Sequence, residues 1–268
     1  LFFFGWDKLS RGQHLLVTAL VALGSNLSAL WILIANGWMQ NPVGAEFNPM
    51  TMRMELTDVA AVIFNPVAQV KFVHTVAAGY VAASLFVMGV SSWYLLRRME
   101  VRFALRSFAI ASGFGLAAIL SVIVLGDESG YRSGEVQKVK LAAIEAEWET
   151  EPAPASFTLF GLPDQGDETT HGAIKIPYLM GIIATRSLDE QVTGLKDLKA
   201  QHEVRIRSGM LAYDALEALR SDGSNAEARA TFERHRADLG YGLLLTPHAK
   251  EIGKADESAI AKAVDDSI

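Results

Sequence analysis

The sequence predicts an all-α membrane protein, a transmembrane helix bundle with a mostly helical external loop domain. Three observations predict it. The runs 12–36, 72–96 and 107–126 contain no Asp, Glu, Lys or Arg. Basic residues such as Arg11, Lys71 and Arg106 stand at an end of each run. Finally, the charge changes sign along the chain. Residues 1–126 carry 8 Lys/Arg against 5 Asp/Glu, and residues 127–268 carry 16 against 25.

Each run is long enough to matter. At about 1.5 Å rise per residue, 20 to 25 residues cover the roughly 30 Å hydrocarbon core of a bilayer. One such run could be a buried helix of a large soluble protein; three within the first 126 residues argue against that. The apolar opening Leu1-Phe2-Phe3-Phe4-Gly5-Trp6 lacks a basic segment before it and is no signal peptide. It reads as the end of an earlier membrane helix, and we expect both ends to lie inside a longer chain. With no cysteine, disulfides and thiolate ligands are excluded.

Orientation follows from short basic loops. Arg97, Arg98, Arg102 and Arg106 cluster between the second and third runs, against the single acid Glu100, whereas 37–71 holds only Arg53 and Lys71. The arginine cluster should be cytoplasmic, which puts the acidic part outside. Gly79 with Ala83, and Ala109 with Gly113 and Ala117, are small residues at four-residue spacing. Such stripes let helices approach in lipid, and we expect these to be the packing faces.

We divide the chain into a transmembrane part, 1–126, and an external part, 127–268. In the latter, 135–149, 195–220 and 226–239 read as helices. Residues 157–167 and 221–225 read as turn-rich loops, and 172–185 as a short surface or interfacial segment. The acidic balance offers no stripe to attract nucleic acid.

Few residues carry chemistry on spacing alone. His74 lies near the outer end of the second run, where an imidazole can be a haem ligand, a proton relay or a packing group. His14 is at the opposite side of the membrane. Ser25, Asn26 and Ser28 can be satisfied by carbonyls one turn back, or can form a polar step. Trp38 is an interfacial anchor. Lys140 and Glu145 are five apart, about 140° around an ideal helix, so they do not pair directly and could meet only across a ligand or through a break in the helix. Glu147 reads as part of a solvated face.

Longer strings add a resemblance. Gly24-Ser25-Asn26-Leu27-Ser28-Ala29-Leu30-Trp31, Gly37-Trp38-Met39-Gln40-Asn41-Pro42, 65–75 (Asn-Pro-Val-Ala-Gln-Val-Lys-Phe-Val-His-Thr), Gly126-Asp127-Glu128-Ser129-Gly130-Tyr131 and 140–150 (Lys-Leu-Ala-Ala-Ile-Glu-Ala-Glu-Trp-Glu-Thr) together resemble subunit I of the bacterial cytochrome bd quinol oxidases over nearly the whole chain. The resemblance implies an enzyme of the bacterial inner membrane, multi-pass, with 127–268 as its periplasmic quinol-oxidation loop. Such enzymes oxidise ubiquinol or menaquinol outside and reduce oxygen to water, using low-spin and high-spin haem b and haem d. Subunit II and small accessory subunits are the implied partners. His74 is then the axial ligand of the low-spin haem b iron, and Lys140, Glu145 and Asp127 belong to the quinol site. Asp7 and Ser28 fall near a proton route. The helices bearing the remaining haem ligands are absent from this sequence, so it should not reduce oxygen alone.

Two rival readings stand beside it: a transporter, in which the intramembrane Ser, Asn and His mark a substrate path, and a sensor with three helices and an external ligand-binding domain, which is not an enzyme. Both differ from the oxidase in binding no haem. The orientation is testable by itself. With cysteines placed singly at Ser133 and Met99, an impermeant thiol reagent on intact cells should label the first and spare the second. The reverse pattern would overturn the orientation.

Overall fold

The computed structural model describes residues 1–268. They form two compact units, Leu1–Arg132 and Ser133–Ile268.

The first unit is built on α1 (Arg11–Gln40), α3 (Pro66–Leu96) and α4 (Val101–Val136), each long and apolar enough to cross a membrane. All three outrun the uncharged segments, because caps and breakers set helix ends. Ser10 opens α1 with a capping box, its hydroxyl accepting from the Gln13 amide while the Gln13 side chain accepts from the Ser10 amide. That cap leaves Leu1–Ser10 outside the helix. They form turns, with Lys8 and Leu9 both donating to the Gly5 carbonyl, and the helix end expected there is not seen. Asn41, held extended before Pro42, stops α1.

Asn65 then starts α3 ahead of Pro66 at the first helical position. Its side chain accepts from Val67 and Ala68 and donates to the Asn41 carbonyl at 2.8 Å. This fully buried residue joins the two helix ends. Lys71 sits inside α3 and bonds the Gln40 side chain at the end of α1. Between the helices lie a hairpin, β1 (Ala45–Asn48) with β2 (Arg53–Leu56), and a short α2 (Val59–Ile63). Within α1, Ser25 and Asn26 bond the Val21 and Ala22 carbonyls one turn back.

Small residues do bring the helices together, but on other faces than expected. Beyond Val67 and Ala68 at its start, the buried positions along α3 are Ala77, Ser84 and Ser91, and those along α4 are Ala104, Ala111, Gly115 and Ala118. A Cβ on Gly115 would lie 2.9 Å from that of Ser84, and the Ser112 hydroxyl meets the Met88 sulfur at 3.1 Å. Gly79 and Gly113 have nothing within 4 Å. Four-residue spacing occurs on both faces of α4, since Ala111 and Gly115 share it too. A shift of two residues is about 200° of rotation. Between α1 and α3, Gly37 packs on Ala68, whose Cβ would lie 2.6 Å from a Cβ at 37.

Helix α4 runs unbroken through Gly126–Tyr131 to Val136, past the division expected at residue 126. No proline interrupts it, and Glu128 pairs with Arg132 one turn on, at 2.9 Å.

In the second unit the helix expected over 135–149 is two pieces. The chain breaks at Gln137, and α5 covers only Lys138–Ile144. We have no sequence-level reason for that break. The expected loop at 157–167 is instead half of a hairpin, β3 (Phe157–Asp164) paired with β4 (Thr169–Ile176). Thr, Phe and Ile favour strands, and the Asp164 carboxylate accepts from the amides of Gly166 and Asp167 to close the turn. The segment 172–185 is likewise not all surface. Met180 and Ala184 are buried with Ala155 and Val192.

The largest core surrounds α6 (Leu195–Ser221). Ile206 packs with Leu245, Ile260, Ala263 and Val264. The apolar spacing of 195–220 foretold this amphipathic helix. Its neighbours are α7 (Ala226–His235), shorter than expected, the single turn α8 (Leu239–Gly242), and α9 (Glu257–Asp266). Gly209 and Gly242 meet backbone to backbone: a Cβ at 209 would lie 2.3 Å from the Gly242 nitrogen.

That contact decides between two opposed effects. Alanine for glycine inside a helix gains about 1 kcal/mol of propensity, whereas overpacking against a backbone costs about 1–3 kcal/mol. Gly209→Ala in the full-length protein should therefore speed hydrogen exchange across α6. Gly240→Ala, with nothing within 4 Å, should leave it unchanged or slower.

Candidate functional site

In the first unit, His74 is the ninth residue of α3. Gly126 of α4 faces its ring, and a Cβ there would come within 3.3 Å of Cε1. The His74 Nδ1 is buried without a hydrogen-bond partner. A buried polar atom left unbonded costs about 1–3 kcal/mol, so such an imidazole suits a group that it would bind. His14 differs. Its Nε2 meets the Phe2 carbonyl at 3.0 Å and its ring lies 4.2 Å from that of Trp6. Asp127 lies on α4, one residue past Gly126, while Asp7 is in the turns before α1 and Ser28 on α1.

In the second unit, Lys140 is on α5 and Glu145 is its C-cap. Lys140 is exposed and lines a cavity of about 880 Å³ with Gln201, His202, Arg205 and Tyr241. Glu145 is half-buried and is not among the lining residues. The helix does break beside Glu145, yet no ion pair between the two side chains is formed. Burial raises the proton affinity of the Glu145 carboxyl above the ordinary glutamate value.

The break itself places a third residue. Ala146 turns left-handed at φ 52°. Its amide donates to the Ala143 carbonyl at 3.4 Å, and that of Glu147 to the Ala142 carbonyl at 2.9 Å. This is a Schellman ending, with alanine where glycine is usual. The position after the left-handed residue normally packs an apolar side chain back on the helix. Here it holds Glu147, only 4% exposed, with Oε1 unpartnered. The Glu147 carbonyl accepts from the Leu195 amide at 2.8 Å and that of Trp148 from Lys196 at 3.0 Å. These bonds satisfy amides in the first turn of α6. Gly194 permits the approach, since a Cβ there would lie 2.2 Å from the Glu149 carbonyl carbon.

Glu147 therefore contradicts the solvated face expected of it. Desolvation raises its pKa from 4.5 to about 7, with the charges of Glu151 and Glu145 adding to the rise and Lys175 opposing it.

The sequence profile described as cytochrome bd terminal oxidase subunit I matches residues 1–245. The chain belongs to that family. It is 53% identical over 252 residues to the cytochrome bd-II ubiquinol oxidase subunit 1 of Escherichia coli (strain K12), covering 94% of this chain and 49% of that protein. It is 37% identical over 203 residues to the cytochrome bd ubiquinol oxidase subunit 1 of Bacillus subtilis (strain 168), covering 76% and 43%. The solved structure of a bd oxidase from Geobacillus thermodenitrificans shares the fold at a TM-score of 0.60 and 24% identity, over 98% of this chain and 60% of that one. The chain thus spans about half the length of the curated relatives it matches. Neither the transporter nor the sensor reading is supported by these matches.

Within this chain, Glu147 is the residue that sequence reasoning missed. It sits among charges in Glu145-Ala146-Glu147-Trp148-Glu149, and no glycine or proline marks the reversal that buries it.

Its stability effect has a definite sign. The folded state holds a proton on Glu147 up to about pH 7, while the unfolded chain releases it near 4.5. Stability falls as pH rises through that window, by on the order of 1–3 kcal/mol. Glu147→Gln in the full-length protein should therefore slow hydrogen exchange of 142–151, relative to wild type, more at pH 8 than at pH 5. Equal effects at both pH values would refute the raised affinity.

Proposed function

We propose that this chain forms the quinol-oxidising, electron-accepting part of a terminal respiratory oxidase that reduces oxygen to water. The carrying observation is Glu145, a carboxyl with burial-raised proton affinity at the end of the helix that bears Lys140, in a family whose relatives are named ubiquinol oxidase subunits.

Quinol oxidation must remove two protons and two electrons. Glu145, with its raised affinity, suits a base taking a hydroxyl proton. Lys140 offers an ammonium donor to a headgroup oxygen, and the family resemblance adds Asp127, of the first unit, to the residues of quinol oxidation. His74, with Nδ1 buried and unbonded, is the residue that would hold a low-spin haem b. That haem, when bound, supplies a one-electron acceptor. A high-spin haem b and haem d would complete the oxidase, with ligands outside this chain. Ubiquinol or menaquinol is the substrate, and subunit II with small accessory subunits the partners. We place the protein in the bacterial inner membrane with 127–268 in the periplasm. There, protons from quinol leave on the positive side.

The test uses the complete oxidase. Lys140→Ala and Glu145→Ala each remove a hydrogen bond to a polar or charged group, about 1.5–3 kcal/mol. Each should lower kcat/KM for quinol about ten- to a hundredfold, with haem spectra intact and oxygen reduction from an artificial donor preserved. His74→Ala should instead remove the low-spin haem signal, and His14→Ala should not. Wild-type quinol kinetics in both loop variants would end this reading.

A further inference from the structure

The mechanism above leaves one buried acid unused. Glu147 is 4% exposed, its Oε1 has no partner, and its backbone is bonded at both N–H and C=O. It lines a cavity of about 200 Å³ with Glu149, Glu151, Glu168, Thr170 and Lys175. The other acids there each have a lysine. Glu151 pairs with Lys175 at 2.7 Å, Glu168 with Lys199 at 2.7 Å, and Glu149 with Lys196. Glu147 has no such ion pair, although the charge of Lys175 reaches it. Packing alone gives no reason for a carboxyl here, because an apolar side chain is what this position of a Schellman ending usually holds.

Two further glutamates flank it in the chain. Glu145, two residues earlier, interacts electrostatically with Glu147. Glu149 leads outward, its side chain 75% exposed. A carboxyl without a fixed counter-ion, between a half-buried base and open water, can gain and lose a proton without breaking an ion pair.

We propose that Glu147 is a proton-relay residue, taking the proton that Glu145 receives from quinol and passing it to water through the Glu149–Glu151–Lys175 cavity. This rests on the quinol-site reading of Glu145. In the step, the quinol O–H bond breaks and a Glu145 O–H bond forms, and the quinol's electrons would pass to the haem that His74 would hold. The proton then moves to the Glu147 carboxylate, leaving Glu145 ionised for the second proton. Glu147 releases its own to water. Glu147 acts through Glu145 and is a positioning residue for the proton, not a group that touches quinol.

The experiment uses the assembled oxidase with a water-soluble quinol. In wild type, kcat should rise with pH through a limb near 7, the value at which Glu147 ionises. Glu147→Gln keeps the shape but carries no proton. It should lower kcat on the order of tenfold, leave KM nearly unchanged and abolish the limb, while artificial-donor turnover and haem spectra stay normal. Glu147→Asp should recover most of the rate with the limb displaced. A wild-type rate and limb in Glu147→Gln would overturn the relay. So would an undisplaced limb in Glu147→Asp, which remains decisive should the glutamine variant fail to assemble. Glu145→Gln and Lys140→Ala, run alongside, separate the two levels. If they are slow and Glu147→Gln is normal, the relay alone fails; if all three are normal, the quinol reading fails with it.

Discussion

The bonds at the backbone of Glu147 hold the junction of α5 and α6 together. Its N–H closes the end of α5 on Ala142, and its carbonyl receives the first amide of α6 from Leu195. Helix ends leave backbone groups that must find partners when buried, and here one residue serves an end of each helix. Two bridging bonds between Glu151 and Val192 extend the same link. With the backbone so held, the side chain is kept almost wholly buried, only 4% exposed. The burial of an acid is thus a consequence of how two helices are joined. It is tolerated because the acid can stay protonated up to about pH 7.

The first unit obeys a different constraint. In lipid, apolar side chains give little drive for helices to meet, so close backbone approach does the work. Gly37 on Ala68 and Gly115 on Ser84 are the points where a Cβ would collide. Large apolar side chains such as Leu20, Phe86 and Ile110 point away, exposed on this chain. The seven-residue spacing of Ala77, Ser84 and Ser91, matched by Ala104, Ala111 and Ala118, suits two helices that coil slightly about one another. His74 and Gly126 lie in the same pair of helices, and the absence of a side chain at 126 leaves room for the imidazole.

Legibility differed sharply between the parts. The three spans were plain because hydrophobic length needs no partner to be recognised, and α6 was plain because its apolar residues repeat at helical spacing. The hairpin at 157–176 is not legible in composition, which there resembles a loop and an interfacial segment, because its strands are defined by pairing between residues up to about twenty positions apart. Lys140 and Glu145 stood out only through resemblance to a family. Their spacing said that they do not pair, and the structure agrees, with Lys140 lining a cavity that Glu145 does not.

From the sequence alone came the class of the protein, its three apolar helices, the acidic loop unit, and the histidine and lysine–glutamate positions that the family resemblance singled out. These follow from local quantities: run length, charge and unbroken strings of residues. The tertiary structure decided which small-residue stripe packs, where α4 ends, and that the second glutamate of 145–147 is inside and the first only half so. Each depends on a contact between distant segments, Ser84 with Gly115 or Glu147 with Leu195. The environment of a carboxyl, and with it its hold on a proton, is set by what folds over it, which no neighbour in the chain specifies.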